Sequence, residues 1–190
     1  MKRVAGFLAT ALVLVVAAAP ARAETPAEKR AEIAKMRSET LARLYKLHPA
    51  AKGKIARAYG YAVFSNLGVN LIFLSAAGGS GVARDNKTGR DTYMKMVSGG
   101  IGLGLGVKDF RGVFVFSTRK AFTDFVDGGW EAGAHADAVA KAGQKGGAAE
   151  GALTVAPGVE LYQITENGLA LEATIQGTKY YKDDELNAGK

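Results

Sequence analysis

The chain has 190 residues, 48% of them hydrophobic and 23% charged, with no cysteine and a formal charge of +7. That length sets one domain with a sizeable core as the default. The lack of thiols excludes a disulfide framework, a thiolate metal centre, a cysteine nucleophile and a cysteine-anchored lipoprotein.

Lys2 and Arg3 precede an apolar run over residues 4–19, and Ala21-Arg22-Ala23 follows. A charged start, an apolar centre and an A-x-A site make up a secretory signal, whereas the run is short for a membrane span. Residues 1–23 are therefore expected to be removed and the exported chain to begin at Glu24. Removing Lys2, Arg3 and Arg22 leaves +4, unevenly placed: residues 24–57 carry nine Lys and Arg against four Glu, residues 58–190 thirteen against fourteen. The basic character is N-terminal.

Residues 24–48 form the first predicted element. Thr25-Pro26-Ala27-Glu28 is a capping box with proline at the first helical position, and Pro49 stops the helix. Ile33, Met36, Thr40, Leu44 and Leu47 make one stripe, widened by Leu41 and Tyr45, while Lys29, Arg30, Lys35, Arg37, Arg43 and Lys46 fill the remaining surface. Such a basic amphipathic helix either docks on its own domain or lies on a bilayer. A short second helix over residues 50–58 adds Lys52, Lys54 and Arg57.

From Gly60 onward the pattern is mostly β. Strands are expected at residues 60–64, 70–77 and 92–97, with a glycine-rich close approach at 78–81 and a hairpin loop at 85–90. In residues 99–107, Gly100, Gly102, Gly104 and Gly106 alternate with apolar residues, giving a strand with one side-chain-free face. The spacing fails the G-x-G-x-x-G nucleotide fingerprint, and no run of 18 apolar residues surrounds its G-x-x-x-G pairs. Val113, Phe114, Val115 and Phe116 form an unbroken apolar run, predicting a strand buried on both faces. A helix capped by Ser117 or Thr118 follows, with Ala121, Phe122 and Phe125 lying back over the sheet. Further strands are expected at residues 129–136, 159–164 and 169–175, the last two joined by a turn at Glu166-Asn167-Gly168. Residues 141–152 read as a flexible surface loop.

Catalytic patterns are sparse. Glu131, His135 and Asp137 fall on one strand face, which suits a metal but more commonly marks the solvent side. No nucleophile elbow, phosphate loop or zinc-protease motif occurs. Trp130, Tyr180 and Tyr181 suit either a membrane interface or the edge of a core.

Gly60-Tyr61-Ala62-Val63-Phe64, the glycine strand, and Val113 to Phe116 followed by Ser117-Thr118-Arg119-Lys120-Ala121-Phe122 are joined by two later blocks. These are Gly168-Leu169-Ala170-Leu171-Glu172 and Gly177-Thr178-Lys179-Tyr180-Tyr181. In this order they resemble the SYLF domain, also called the Ysc84 actin-binding domain, over residues 52–188. One departure is Ser65, where the family often has proline. The resemblance implies a non-enzymatic lipid-binding module. Its eukaryotic relatives bind phosphoinositide membranes, largely through an N-terminal amphipathic helix, and some bind actin. By position it places Lys29, Arg30, Arg37, Arg43, Lys46, Lys52, Lys54 and Arg57 in the membrane-facing region.

The combined expectation is an α+β domain over residues 49–190: a strongly bent, mostly antiparallel sheet with a covering helix, preceded by the amphipathic helix. The expected activity is peripheral binding to anionic phospholipid at the periplasmic side, without cofactor, metal, enzyme activity or nucleic-acid partner. A β-sheet scaffold that binds a protein partner or self-associates is the rival.

Overall fold

The structure, a computed structural model, describes residues 24–66, 77–98, 111–131, 151–165, 168–170 and 178–189. The expected signal segment, the strand expected at 99–107, Glu166-Asn167, His135 and Asp137 lie outside the described residues. So do most of the expected strands at 70–77, 129–136 and 169–175.

Two helices open the domain, α1 (Pro26–Leu47) and α2 (Ala50–Arg57). The capping box is formed as read: Thr25 Oγ1 accepts from the Glu28 amide, and Glu28 accepts from the Thr25 amide at 2.7 Å. Four strands follow, β1 (Gly60–Ser65), β2 (Ala77–Asp85), β3 (Asp91–Ser98) and β4 (Arg111–Phe116). Next come α3 (Arg119–Gly128), capped by Thr118, and the short β5 (Trp130–Glu131). The chain closes with β6 (Leu153–Ala156), β7 (Val159–Thr165), β8 (Gly168–Ala170), β9 (Thr178–Lys182) and α4 (Asp184–Asn187).

All pairings are antiparallel, in the order β5-β9-β3-β2-β1-β4-β7-β6, with β8 beside β7. The sheet curls strongly. Strands β9 and β4 stand four positions apart, roughly 19 Å across a flat sheet at ~4.8 Å per strand. Yet the rings of Tyr180 on β9 and Phe114 on β4 are 5.1 Å apart. Trp130 on β5, one strand farther out, lies 5.7 Å from the same phenylalanine. Side chains leaning inward do not close such a gap, so the strands themselves wrap into a half-barrel.

Both faces are covered. Inside the curl Phe64, Phe114, Phe116 and Tyr180 pack with Phe122, Phe125 and Val126 of α3. Outside it Val63, Val113, Val115, Tyr162 and Ile164 pack with Leu44 of α1 and with Ala51 and Ile55 of α2. A smaller cluster of Ile33, Val82, Tyr93 and Leu186 joins the first half of α1 to β3 and α4. The alternation along β1 and β4 thus serves two cores, the arrangement an unbroken apolar run predicts. Tyr180 is buried with no hydrogen-bond partner for its hydroxyl among the described residues, and burial pushes its phenol well above the ordinary range. It stays neutral at any physiological pH.

The glycine-rich approach at 78–81, expected after a strand at 70–77, lies within β2 itself. Gly81 pairs with Phe64 across the ladder, and a Cβ there would collide with the Phe64 ring and the Val63 carbonyl oxygen. Since the oxygen belongs to backbone already fixed in a ladder, it cannot yield. Gly81→Val is therefore expected to cost about 1–3 kcal/mol by overpacking, read as a lower urea midpoint. An unchanged midpoint would show that Phe64 has room to turn away.

The loop between β2 and β3 is the hairpin loop read from residues 85–90, with a second task. Asn86 donates through Nδ2 to the carbonyls of Ile55 at 2.8 Å and Ala58 at 3.1 Å. These are acceptors left over at the end of α2, so the loop caps that helix from outside.

Candidate functional site

The amphipathic stripe of α1 is docked on the domain. Ile33, Thr40 and Leu44 are buried and Met36 is half-buried, while Leu47 at the end of the stripe is 43% exposed.

The eight basic residues singled out in the sequence divide by what they touch. Arg30 donates from Nε to the Leu186 carbonyl at 2.9 Å and from Nη2 to the Ala188 carbonyl at 3.3 Å, and its guanidinium lies 6.0 Å from the Tyr93 ring centroid. Arg37 donates to Asp91 Oδ1 at 2.9 Å, an oxygen that also accepts from Arg84 at 3.0 Å. Arg43 donates to the Thr165 carbonyl at 2.7 Å. Lys29 pairs with Glu185 at 3.6 Å and Lys54 with Glu160 at 2.6 Å. These five tie α1 and α2 to strands and to α4. Guanidinium forks that meet carbonyls and a carboxylate in part-buried positions stabilise more than exposed pairs do.

Lys46, Lys52 and Arg57 are different. All three are exposed and form no ion pair among the described residues. Lys46, Leu47 and His48 stand at the elbow between α1 and α2, where the chain turns at Pro49, and Lys52 and Arg57 follow along α2. An apolar side chain held in water beside cations suits an interface that is apolar below and anionic above.

Two grooves lie on either side of the turn between β6 and β7. One, of about 390 Å³, is bounded by Lys54, Arg57, Ser117, Thr154, Val115 and Glu160. The other, of about 650 Å³, runs between α3 and the turn and is walled by Ala121, Phe125, Trp130, Ala156 and Pro157, with Lys120 and Asp124 on its rim. Ser117, Gly158 and Val159 border both. Nothing in the sequence pointed to either, because their walls come from segments as far apart as Lys54 and Glu160.

Of the residues considered for a metal, Glu131 is paired with Lys179 at 3.2 Å across the β5–β9 ladder. No group of three His, Asp or Glu with metal-binding geometry occurs among the described residues. His48 caps the end of α1, and its ring lies 5.7 Å from that of Tyr162. Among the amphipathic aromatics, Tyr180 is core, Trp130 flanks the core and Tyr181 is 44% exposed. No helix among the described residues is long and apolar enough to cross a membrane.

No protein-family model matches the chain. It is similar to the Beta cell expansion factor A of Aeromonas veronii, 40% identical over 163 residues. The match takes in 86% of this chain, which spans 60% of the length of that relative.

Proposed function

We propose that the chain is a peripheral lipid-binding module of the SYLF type, exported from Glu24 onward and acting without enzymatic chemistry on anionic phospholipid at the periplasmic side of a membrane. The contact is the elbow between α1 and α2. The observation that carries this reading is the exposure of Leu47 beside Lys46 and Lys52, with Arg57 exposed farther along α2, while Lys29, Arg30, Arg37, Arg43 and Lys54 are engaged within the protein. The intact mass of the exported chain checks the Glu24 terminus.

Each basic side chain near an anionic surface contributes roughly 1 kcal/mol. A Lys46→Gln, Lys52→Gln, Arg57→Gln variant is therefore expected to bind anionic vesicles about a hundredfold more weakly, since about 1.4 kcal/mol is tenfold. Its melting point should be unchanged, because these side chains are exposed. Raising salt from 0.1 M to 1 M should weaken the parent similarly, as the screening length falls from about 10 Å to about 3 Å. Vesicle co-sedimentation measures both. A triple variant that sediments like the parent removes the electrostatic reading and favours a scaffold that binds protein. A second reading rests on the relative's name: the chain shares an effect on beta cells, and purified protein that leaves the number of cultured beta cells unchanged would dismiss it.

A further inference from the structure

We propose that the two grooves beside the β6–β7 turn together form a site for one molecule of anionic phospholipid, with the phosphate at Arg57 and the hydroxyls of Ser117 and Thr154 and an acyl chain along Ala121, Trp130 and Pro157. The proposal rests on the lipid-binding reading and adds to it a stoichiometric site away from the elbow's apolar contact, with Arg57 belonging to both.

Three features support one ligand across both grooves. Their volumes, about 390 and 650 Å³, each lie within the range of small-molecule sites. Their charged groups differ: the smaller carries Arg57 and the Lys54–Glu160 pair beside the hydroxyls of Ser117 and Thr154, whereas the larger has the indole of Trp130 with Ala121 and Pro157 along its length and its one charged pair, Lys120 with Asp124, on the rim. Finally, the divide between them is low. Gly158 has φ +75°, and a Cβ on it would stand 3.1 Å from Ser117 Oγ and 3.6 Å from the Ala121 Cβ. A larger residue there would be strained and would raise a ridge between the grooves.

Charge agrees with the assignment. Glu160 lies in the smaller groove, but Lys54 holds it at 2.6 Å, and on the rim of the larger one Lys120 and Asp124 pair at 2.6 Å. Arg57 is left as the net charge. One guanidinium matches the single negative charge of a phosphodiester, with a fork suited to its oxygens.

Trp130 is the sole tryptophan of the chain and walls the larger groove, so in the folded protein its emission responds to a ligand there. The probe is dihexanoyl phosphatidylglycerol below its micelle-forming concentration. A saturable one-to-one blue shift is expected, and quenching when the acyl chains carry bromine. Each methylene added to the buried chain should tighten binding about fourfold. Arg57→Gln should weaken it about tenfold or more. Ala121→Leu, which fills the groove from a helical position, should abolish the shift while vesicle sedimentation persists. Glycerol phosphate should leave the emission unchanged. Equal affinity for dihexanoyl phosphatidylcholine would overturn the phosphate assignment. If Trp130 ignores the soluble lipid while anionic vesicles still sediment the protein, the groove is no lipid site and the elbow reading stands alone. Loss of both responses removes the lipid-binding reading itself.

Discussion

Phe114→Ala is expected to lower stability by about 3–5 kcal/mol, the range for removing a phenyl ring from a filled core. Phe114 is fully buried on β4, within the curl of the sheet. Its ring meets those of Phe64 at 5.9 Å, Phe125 at 5.1 Å, Trp130 at 5.7 Å and Tyr180 at 5.1 Å. Those four come from β1, α3, β5 and β9, so no single element can relax into the void. Aromatic pairs also lose edge-to-face attraction beyond the lost area. Against a typical total of about 5–15 kcal/mol, the variant retains only part of its stability at 25 °C. Urea unfolding followed by Trp130 emission gives the difference directly. A loss under about 1 kcal/mol would mean that the half-barrel closes around the gap, and that the curl is not set by this ring.

Ending the chain after Lys182 is the second large perturbation. It removes Leu186, buried against Ile33, Val82 and Tyr93, and a buried leucine side chain is worth about 1.5–3 kcal/mol. It also removes the two carbonyls that hold Arg30, and Asn187, which accepts from the Tyr93 amide at 3.0 Å and donates to the Tyr93 carbonyl at 2.7 Å. Hydrogen bonds to a charged group add about 1.5–3 kcal/mol. The expected total is at least about 3 kcal/mol, and the effect is local. Amides of the first half of α1, around Arg30 and Ile33, lose protection from hydrogen exchange. Those near Leu44 keep it, since Leu44 belongs to the separate cluster with Val113 and Tyr162. Unchanged protection around Ile33 would show that the C-terminal turn is a passenger.

Sequence and structure agree where the signal is local. The capping box at Thr25, the stop before Pro49, the Thr118 cap and the run from Val113 to Phe116 depend on neighbours within four residues or on a period of two, and each stands as read. The loop at 85–90 and the pairing of β7 with β8 were legible for the same reason. What was not legible is distant. Arg37 finds Asp91, which Arg84 also engages, Lys54 finds Glu160, and Arg43 finds the carbonyl of Thr165. A charge count over residues 24–57 cannot subtract partners lying from 54 to 158 positions away, so it treats structural arginines and free lysines alike. The turn at α4 was passed over, although Asp183 followed by Asp184 and Glu185 is a cap with acidic residues in the first turn, the signature that identified α1.

The contact between α1 and α4 also bears on how the molecule forms. Arg30 and Leu186 are separated by 156 residues, and β3 waits for β9 across more than eighty. Contacts of such sequence separation make folding slow, because the loop entropy is lost before the contact gains anything. While the chain is being made, α1 has its capping box but the turn that covers its first half does not yet exist. The part of its apolar stripe around Ile33 is then open to a chaperone, until the C-terminal turn arrives to take it.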